Sequence, residues 1–278
     1  MDIARSLAGL TALTAVAFGL TGCGGSSESG ADVPGAASPA SPAASATPAL
    51  APADELLAAL PDAKTAAHEY ASSGACVAVW GVVDAPNKAI STRIFQEVPE
   101  VKVSLTMAYL AFGTDDPYVK ITVKPAAIGK RMGVGSSWYS IDPAEIDDFA
   151  DSPFSYNGET DPLGAAMVIE AADDLTRAEV GRFSGTADLS DIAASHPILD
   201  EDAIKKLGDK AKAVPIEATV DPAGNLTKLA MKFPAAGKTK AGTCTIAYSG
   251  HNRTRPLSAP TAGEVKKATA AVYDLLED

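Results

Sequence analysis

VKVSLTMAYLAFGTDDPYVKITVK, residues 101 to 124, is the stretch on which the fold turns. Val101, Val103, Leu105, Met107 and Tyr109 alternate with Lys102, Ser104, Thr106 and Ala108. Val119, Ile121 and Val123 alternate in the same way with Lys120, Thr122 and Lys124. A period of two sends successive side chains to opposite faces, so each run reads as a strand with one apolar face. Between them, Gly113-Thr114-Asp115-Asp116-Pro117 has turn chemistry, and the two strands are expected to form an antiparallel hairpin.

Outward from this hairpin, further strands are expected at residues 76–83, 89–97, 130–134 and 137–141, as a pair over 176–188, and at 214–220, 226–233 and 243–249. On the later strands, Ile216, Ala218 and Val220 share one face, as do Leu229, Met231 and Phe233, while Lys228 and Lys232 take the other. Helical spacing runs from Asp54 to about Tyr70, split at Pro61, which lacks a backbone donor. Asp142, Pro143 and Glu145 have the order of a helix start. Further helices are expected over about 161–172, over 200–210 with Ile204 and Leu207 inward, and over 263–276. Many one-faced strands with interposed helices make an α+β fold, a sheet with an apolar face to be covered.

The chain divides into three parts. In residues 1–22, Arg5 precedes the apolar run Leu7 to Leu20, which ends in Leu20-Thr21-Gly22-Cys23. That order is similar to a bacterial lipoprotein signal, in which the Cys after a small residue and Gly is acylated and becomes the first residue. The run is too short to cross a bilayer, which takes roughly 20 apolar residues. Cys23 is therefore read as a lipid anchor, diacylglyceryl with palmitate as an expected acyl group, to the outer, extracytoplasmic face of the cell membrane, where two chains hold a protein stably. Residues 24–53 are Gly, Ser, Ala or Pro at 25 of 30 positions, a composition expected to form a disordered tether. Residues 54–278 are read as a single domain.

A net charge of −12 and a pI near 4.7 exclude a basic nucleic-acid footprint. Outside the cytoplasm, Cys76 and Cys244 can oxidise to a disulfide closing a loop of more than 150 residues, the alternative being two buried free thiols. No catalytic signature is present. The elbow G-x-S-x-G is missing, and the neighbours Ser195 and His196 precede Pro197, in what reads as a loop. His68, His196 and His251 are far apart in sequence and lack zinc-ligand spacing, so each reads as a surface or loop histidine. Gly237-Lys238-Thr239 has Lys232 where a phosphate loop needs its leading Gly, and the Asp doublets at 115–116, 147–148 and 173–174 lack calcium-loop spacing. No cofactor and no metal is implied.

Three phrases resemble one family. They are the tryptophan strand Ser136 to Asp142, the strand Gly181 to Leu189, and Val214 to Asp221 before the Gly224 turn. Together with the element order over roughly residues 54–260, they are similar to the LppX/LprAFG-type lipoproteins of actinobacteria, whose fold is LolA/LolB-like. The resemblance implies a curved antiparallel half-barrel sheet whose concave face is covered by helices. It also implies an apolar cavity between the two layers, in which a lipid or glycolipid is bound and carried. Val103, Leu105, Met107, Ile121, Val123, Trp138, Ile216 and Met231 would line that cavity. The sequence departs from the family in having Cys76 among its first strands and a long polar loop from Ala150 to Thr160. The apolar stripe reads equally as packed core. The expectation is a non-enzymatic, membrane-anchored lipid-binding lipoprotein with an unidentified transporter partner, and the alternative is a ligand-free structural or interaction protein at the cell surface.

Overall fold

A computed structural model describes residues 50–62, 67–98, 102–149, 152, 154–237 and 239–277. Cys23 and the segments before residue 50 lie outside these residues. Twelve strands form one sheet: β1 (His68–Gly74), β2 (Ala78–Asp84), β3 (Ala89–Val98), β4 (Val103–Phe112), β5 (Asp116–Lys124), β6 (Trp138–Ser140), β7 (Ala172–Glu179), β8 (Arg182–Ala187), β9 (Val214–Val220), β10 (Leu226–Phe233), β11 (Gly242–Ser249) and β12 (Val265–Lys267). The spatial order is β12-β6-β5-β4-β3-β2-β1-β11-β10-β9-β8-β7, so the sheet is open, with β12 and β7 at its edges. Every pairing is antiparallel except that of β12 with β6, which makes the sheet mixed. Two meanders, β1 to β6 and β7 to β11, meet at the central β1–β11 pair.

The register follows from which residues can be buried. Met107 stands opposite Ile121 and Tyr109 opposite Val119, the hairpin read from residues 101–124. Opposite residues share a face, and tracing these pairs outward carries the face through Ile94, Val83 and Tyr70 to Tyr248, Ile246, Leu229, Ala218 and Phe183. This inner face carries the core. Its center requires two glycines. A Cβ on Gly81 would lie 1.9 Å from the Ser91 carbonyl oxygen and 2.5 Å from the Tyr70 hydroxyl, so the Tyr70 ring lies over Gly81 and bonds Thr92 on β3 at 2.6 Å. Gly74 has φ +93°, where a side chain is strained, and it turns the chain so that Cys76 returns to β11.

Among the described residues there are five helices, all short: α1 (Pro52–Ala58), α2 (Ala126–Arg131), α3 (Ala165–Glu170), α4 (Glu201–Leu207) and α5 (Ala270–Glu277). The segment from Ile141 to Ala171 must pass from β6 near one edge to β7 at the other, and it crosses over the inner face. Its Tyr156, Leu163, Val168 and Ile169 join Leu56 of α1, Ile204 and Leu207 of α4, and sheet residues from β1–β3 and β8–β11 in one buried cluster. A second cluster lies on β4–β6 beneath Phe154 and α5, with Tyr109, Val119, Ile121, Tyr139 and Val272. α4 starts where Asp200 accepts from the Ala203 amide at 3.0 Å, and it buries Ile204 and Leu207 as read.

Five expectations are corrected. Helix does not continue to Tyr70: α1 stops at Ala58, and residues 68–70 are drawn into β1 by pairing with β11 and β2. Residues 130–134 are the end of α2 and a turn, because Ile128 and Met132, at helical spacing, pack on the second cluster. Asp142 caps a single 3-10 turn, with the Ala144 amide at 3.1 Å, and the helix expected from 161 shortens to α3 because Ala172 already pairs with Ala187. The C-terminal helix is only α5, since Val265–Lys267 instead adds β12 to the free edge of β6.

Candidate functional site

The residues expected to line a cavity fall into three places. Val103, Leu105 and Met107 are half-buried on the inner face of β4, while Ile121 and Val123 beside them are buried in the second cluster. Ile216 and Met231 are fully buried in the first cluster, packed core beneath the crossover. Trp138 is a correction. Val119 pairs with Tyr139, so Tyr139 takes the inner face, and the pleat turns Trp138 to the outer one, where the Lys120 ammonium sits 5.9 Å from its ring centre.

Beside the second cluster, part of the inner face of β3 and β4 is only half covered. Ile94 packs against both clusters, and Val103, Leu105 and Met107 continue from it, all half-buried. Ile128 and Met132 from α2 and its C-cap, with Leu275 and Leu276 of α5, border the same region. α5 is tied down where the Asp142 amide donates to the Tyr273 hydroxyl at 3.0 Å. At the open end of β3–β5 is a depression of about 320 Å³ that includes Val103 but is rimmed by Glu97, Lys102 and Lys124.

Sequence reasoning missed a second constellation, a set of titratable groups beneath the crossover at the β1–β11 seam. His68 and His196 are both buried, not surface residues. The His68 Nε2 lies 3.2 Å from the Thr160 carbonyl, and its ring stacks on His251 at 5.9 Å. Burial, together with the neighbouring His251, pushes the His68 pKa down to about 4. The Tyr248 hydroxyl donates to Asp161, whose other oxygen accepts from the Ala166 amide at 2.8 Å at the start of α3. Burial and the adjacent Asp161 raise the Glu159 carboxyl above its ordinary value. The Tyr156 hydroxyl is buried without a hydrogen-bond partner among the described residues and is pushed up to about 12, first by burial and then by Glu159.

This set ties the crossover to the sheet. The His196 Nε2 engages the Gly164 carbonyl at 3.1 Å, and burial lowers its pKa to about 4. The adjacent Ser195 hydroxyl donates to the Ile192 carbonyl at 3.3 Å, so the two residues are not a nucleophile and its base. Among the described residues, no group of three or more His, Cys, Asp or Glu side chains could hold a metal. No pairwise spacing in the sequence signals this convergence, because residues 68 and 251 meet through the β1–β11 pairing while Asp161 and His196 come to them from distant segments.

Cys76 and Cys244 form a disulfide with Cα atoms 5.2 Å apart, beside the Gly74–Cys244 pair that ends the β1–β11 ladder. No described helix is long and apolar enough to cross a membrane. These features define an α+β protein built on a large open sheet, with its core on one face and a disulfide at its central seam. No protein-family model matches the chain, and no curated protein matches it. Among solved structures it is similar to a LolA superfamily protein from Nitrosomonas europaea, 11% identical, over 74% of this chain and 93% of that one, with a TM-score of 0.23. A likeness that slight assigns no fold by itself.

Proposed function

We propose that this chain is an exported lipoprotein, anchored through an acylated Cys23, that holds a lipid chain or similar apolar ligand against the inner face of its sheet. The observation that carries this reading is the half-buried run Ile94, Val103, Leu105 and Met107, which packs on the second cluster, as Leu275 and Leu276 of α5 do, without being fully covered. Exposed apolar surface of this kind, rimmed by polar groups, marks binding sites. The disulfide fits an oxidising, exported setting. In this reading the sheet is a half barrel of the LppX/LolA kind, α5 and the crossover are its cover, and no residue performs covalent chemistry.

The test is native mass spectrometry of the protein purified with its own membrane. Bound lipid is expected, and it should be lost when Leu105→Glu and Met107→Glu are combined. Protein that is ligand-free under all conditions would overturn the reading. Separately, Cys23→Ser should abolish acylation and release the protein from the membrane fraction.

A second reading, a ligand-free interaction protein at the cell surface, is favoured by one observation. Two depressions on the described surface, of about 320 and 260 Å³, are bordered by charged residues, Lys102 and Lys124 at one and Glu201 and Lys205 at the other. Lipid-sized pockets are lined mainly by apolar side chains.

A further inference from the structure

The outer face of β2–β6 bears a row that the core does not explain. Trp80 stands opposite Arg93, Arg93 opposite Ala108, and Ala108 opposite Lys120. The pairing of Val119 with Tyr139 then sets Trp138 beside Lys120, with the ammonium 5.9 Å from the indole centre. Two cations thus lie between the only two tryptophans in the chain. The flanking rows add Phe95 on one side and Tyr118 on the other, and from β2 to β6 none of the three rows holds Asp or Glu.

This is unexpected in a chain of net charge −12. Trp80 is 38% exposed and Phe95 40%, and they are the exposed large aromatic residues among those described. Neither Trp80 nor Trp138 belongs to either core cluster. A strand-built face with cations set between indoles is complementary to a broad anionic partner surface. Indole and phenol rings settle at the headgroup level of a bilayer, and Lys and Arg are drawn to anionic headgroups.

We propose that the outer face of β2–β6 docks the folded domain on an anionic lipid bilayer, through the row Trp80, Arg93, Lys120 and Trp138, by contacts that need no acyl chain. The face is opposite to the one assigned to the apolar ligand, so docking leaves that region unobstructed. It stands whether or not Cys23 is acylated and whether or not a ligand is held.

Because both tryptophans lie in this row, selectively excited tryptophan fluorescence reads this face. The full chain carrying Cys23→Ser is mixed with vesicles of phosphatidylcholine and phosphatidylglycerol, or of phosphatidylcholine alone. The expected result is a blue-shifted emission, quenched by brominated lipid, with the anionic vesicles only and reversed by high salt. Arg93→Gln with Lys120→Gln should weaken this binding about 30-fold, from the loss of two cations near the surface, while an unchanged circular dichroism spectrum shows the variant folded. Unchanged tryptophan emission, even if the chain co-sediments through another segment, would overturn the proposal. So would an equal shift with uncharged vesicles. A concentration-dependent shift without vesicles would overturn it in favour of a second copy of the chain as the occupant.

Discussion

Replacing Cys76 and Cys244 together by alanine removes the covalent link at the β1–β11 seam, where the two meanders meet. The bridge spans 168 residues, and the chain-entropy relation for a loop of that length gives about 5 kcal/mol of stabilisation, acting by restricting the unfolded chain. Folded-state contacts change less. The β1–β11 ladder from Glu69–Ser249 to Gly74–Cys244 persists, and the buried Cys244 side chain leaves only a small void. For a domain of this size, each kcal/mol shifts the melting temperature by about 2–4 °C, so the double variant should melt about 10–20 °C lower. Thermal unfolding followed by circular dichroism, without reductant, measures this directly. Either single variant should lose nearly as much, since one missing thiol breaks the bridge, and reductant should bring the parent down to the same value. A drop of less than about 3 °C would refute the entropic account, or the bridge itself.

Acidification should destabilise the fold through its buried histidines. His68 and His196 are lowered from 6.5 to about 4, so between those values the unfolded chain binds more protons. Their contribution is complete above about pH 6.5 and is lost as pH falls to about 4, by about 3 kcal/mol each. Glu159, raised in the fold, works in the opposite sense: its contribution is present at low pH and is lost as pH rises through its folded value. Urea midpoints at pH 7 and near pH 4 should show the net fall, and an unchanged midpoint would refute the assignment of neutral, buried histidines. Gly81→Ala should cost about 2–3 kcal/mol in urea unfolding, because the new methyl meets the Ser91 carbonyl and the Tyr70 ring; a cost under about 1 kcal/mol would show that β3 yields freely. Tyr248→Phe removes the hydroxyl that Asp161 accepts and should cost about 2 kcal/mol, with faster amide exchange at Ala166. Unchanged exchange there would mean the crossover is held by its apolar contacts alone.

Much of the sheet was legible because its information is local. The alternation in residues 101–124 and the Gly113 turn are enough to pair β4 with β5, and the same reasoning finds β2, β3, β9, β10 and β11. Asp200 and the Ile204–Leu207 spacing placed α4 for the same reason: a cap and a buried stripe are properties of a few adjacent residues. Elements whose state depends on a distant partner were not legible. His68–Tyr70 ends a stretch whose composition favours helix but is a strand, because β11 and β2 offer hydrogen bonds on both sides. Val265–Lys267 is a strand because the edge of β6 was free.

The site shows the same division. The apolar run of β4 was visible as a stripe, but which part of it stays half-buried depends on where the crossover and α5 end. Trp138 was read with the inner face because it is apolar, whereas the pairing of Val119 with Tyr139 decides that the tyrosine goes inward and the tryptophan outward. By itself the sequence determined the strands, their apolar stripes, the acidic charge and the two cysteines able to pair, since each follows from composition or short spacing. Only the tertiary structure decided which face each ring occupies, which strands meet at the seam, and that His68, Asp161, His196 and His251 gather beneath one crossover. Such proximity arises from long-range pairing that no local pattern encodes.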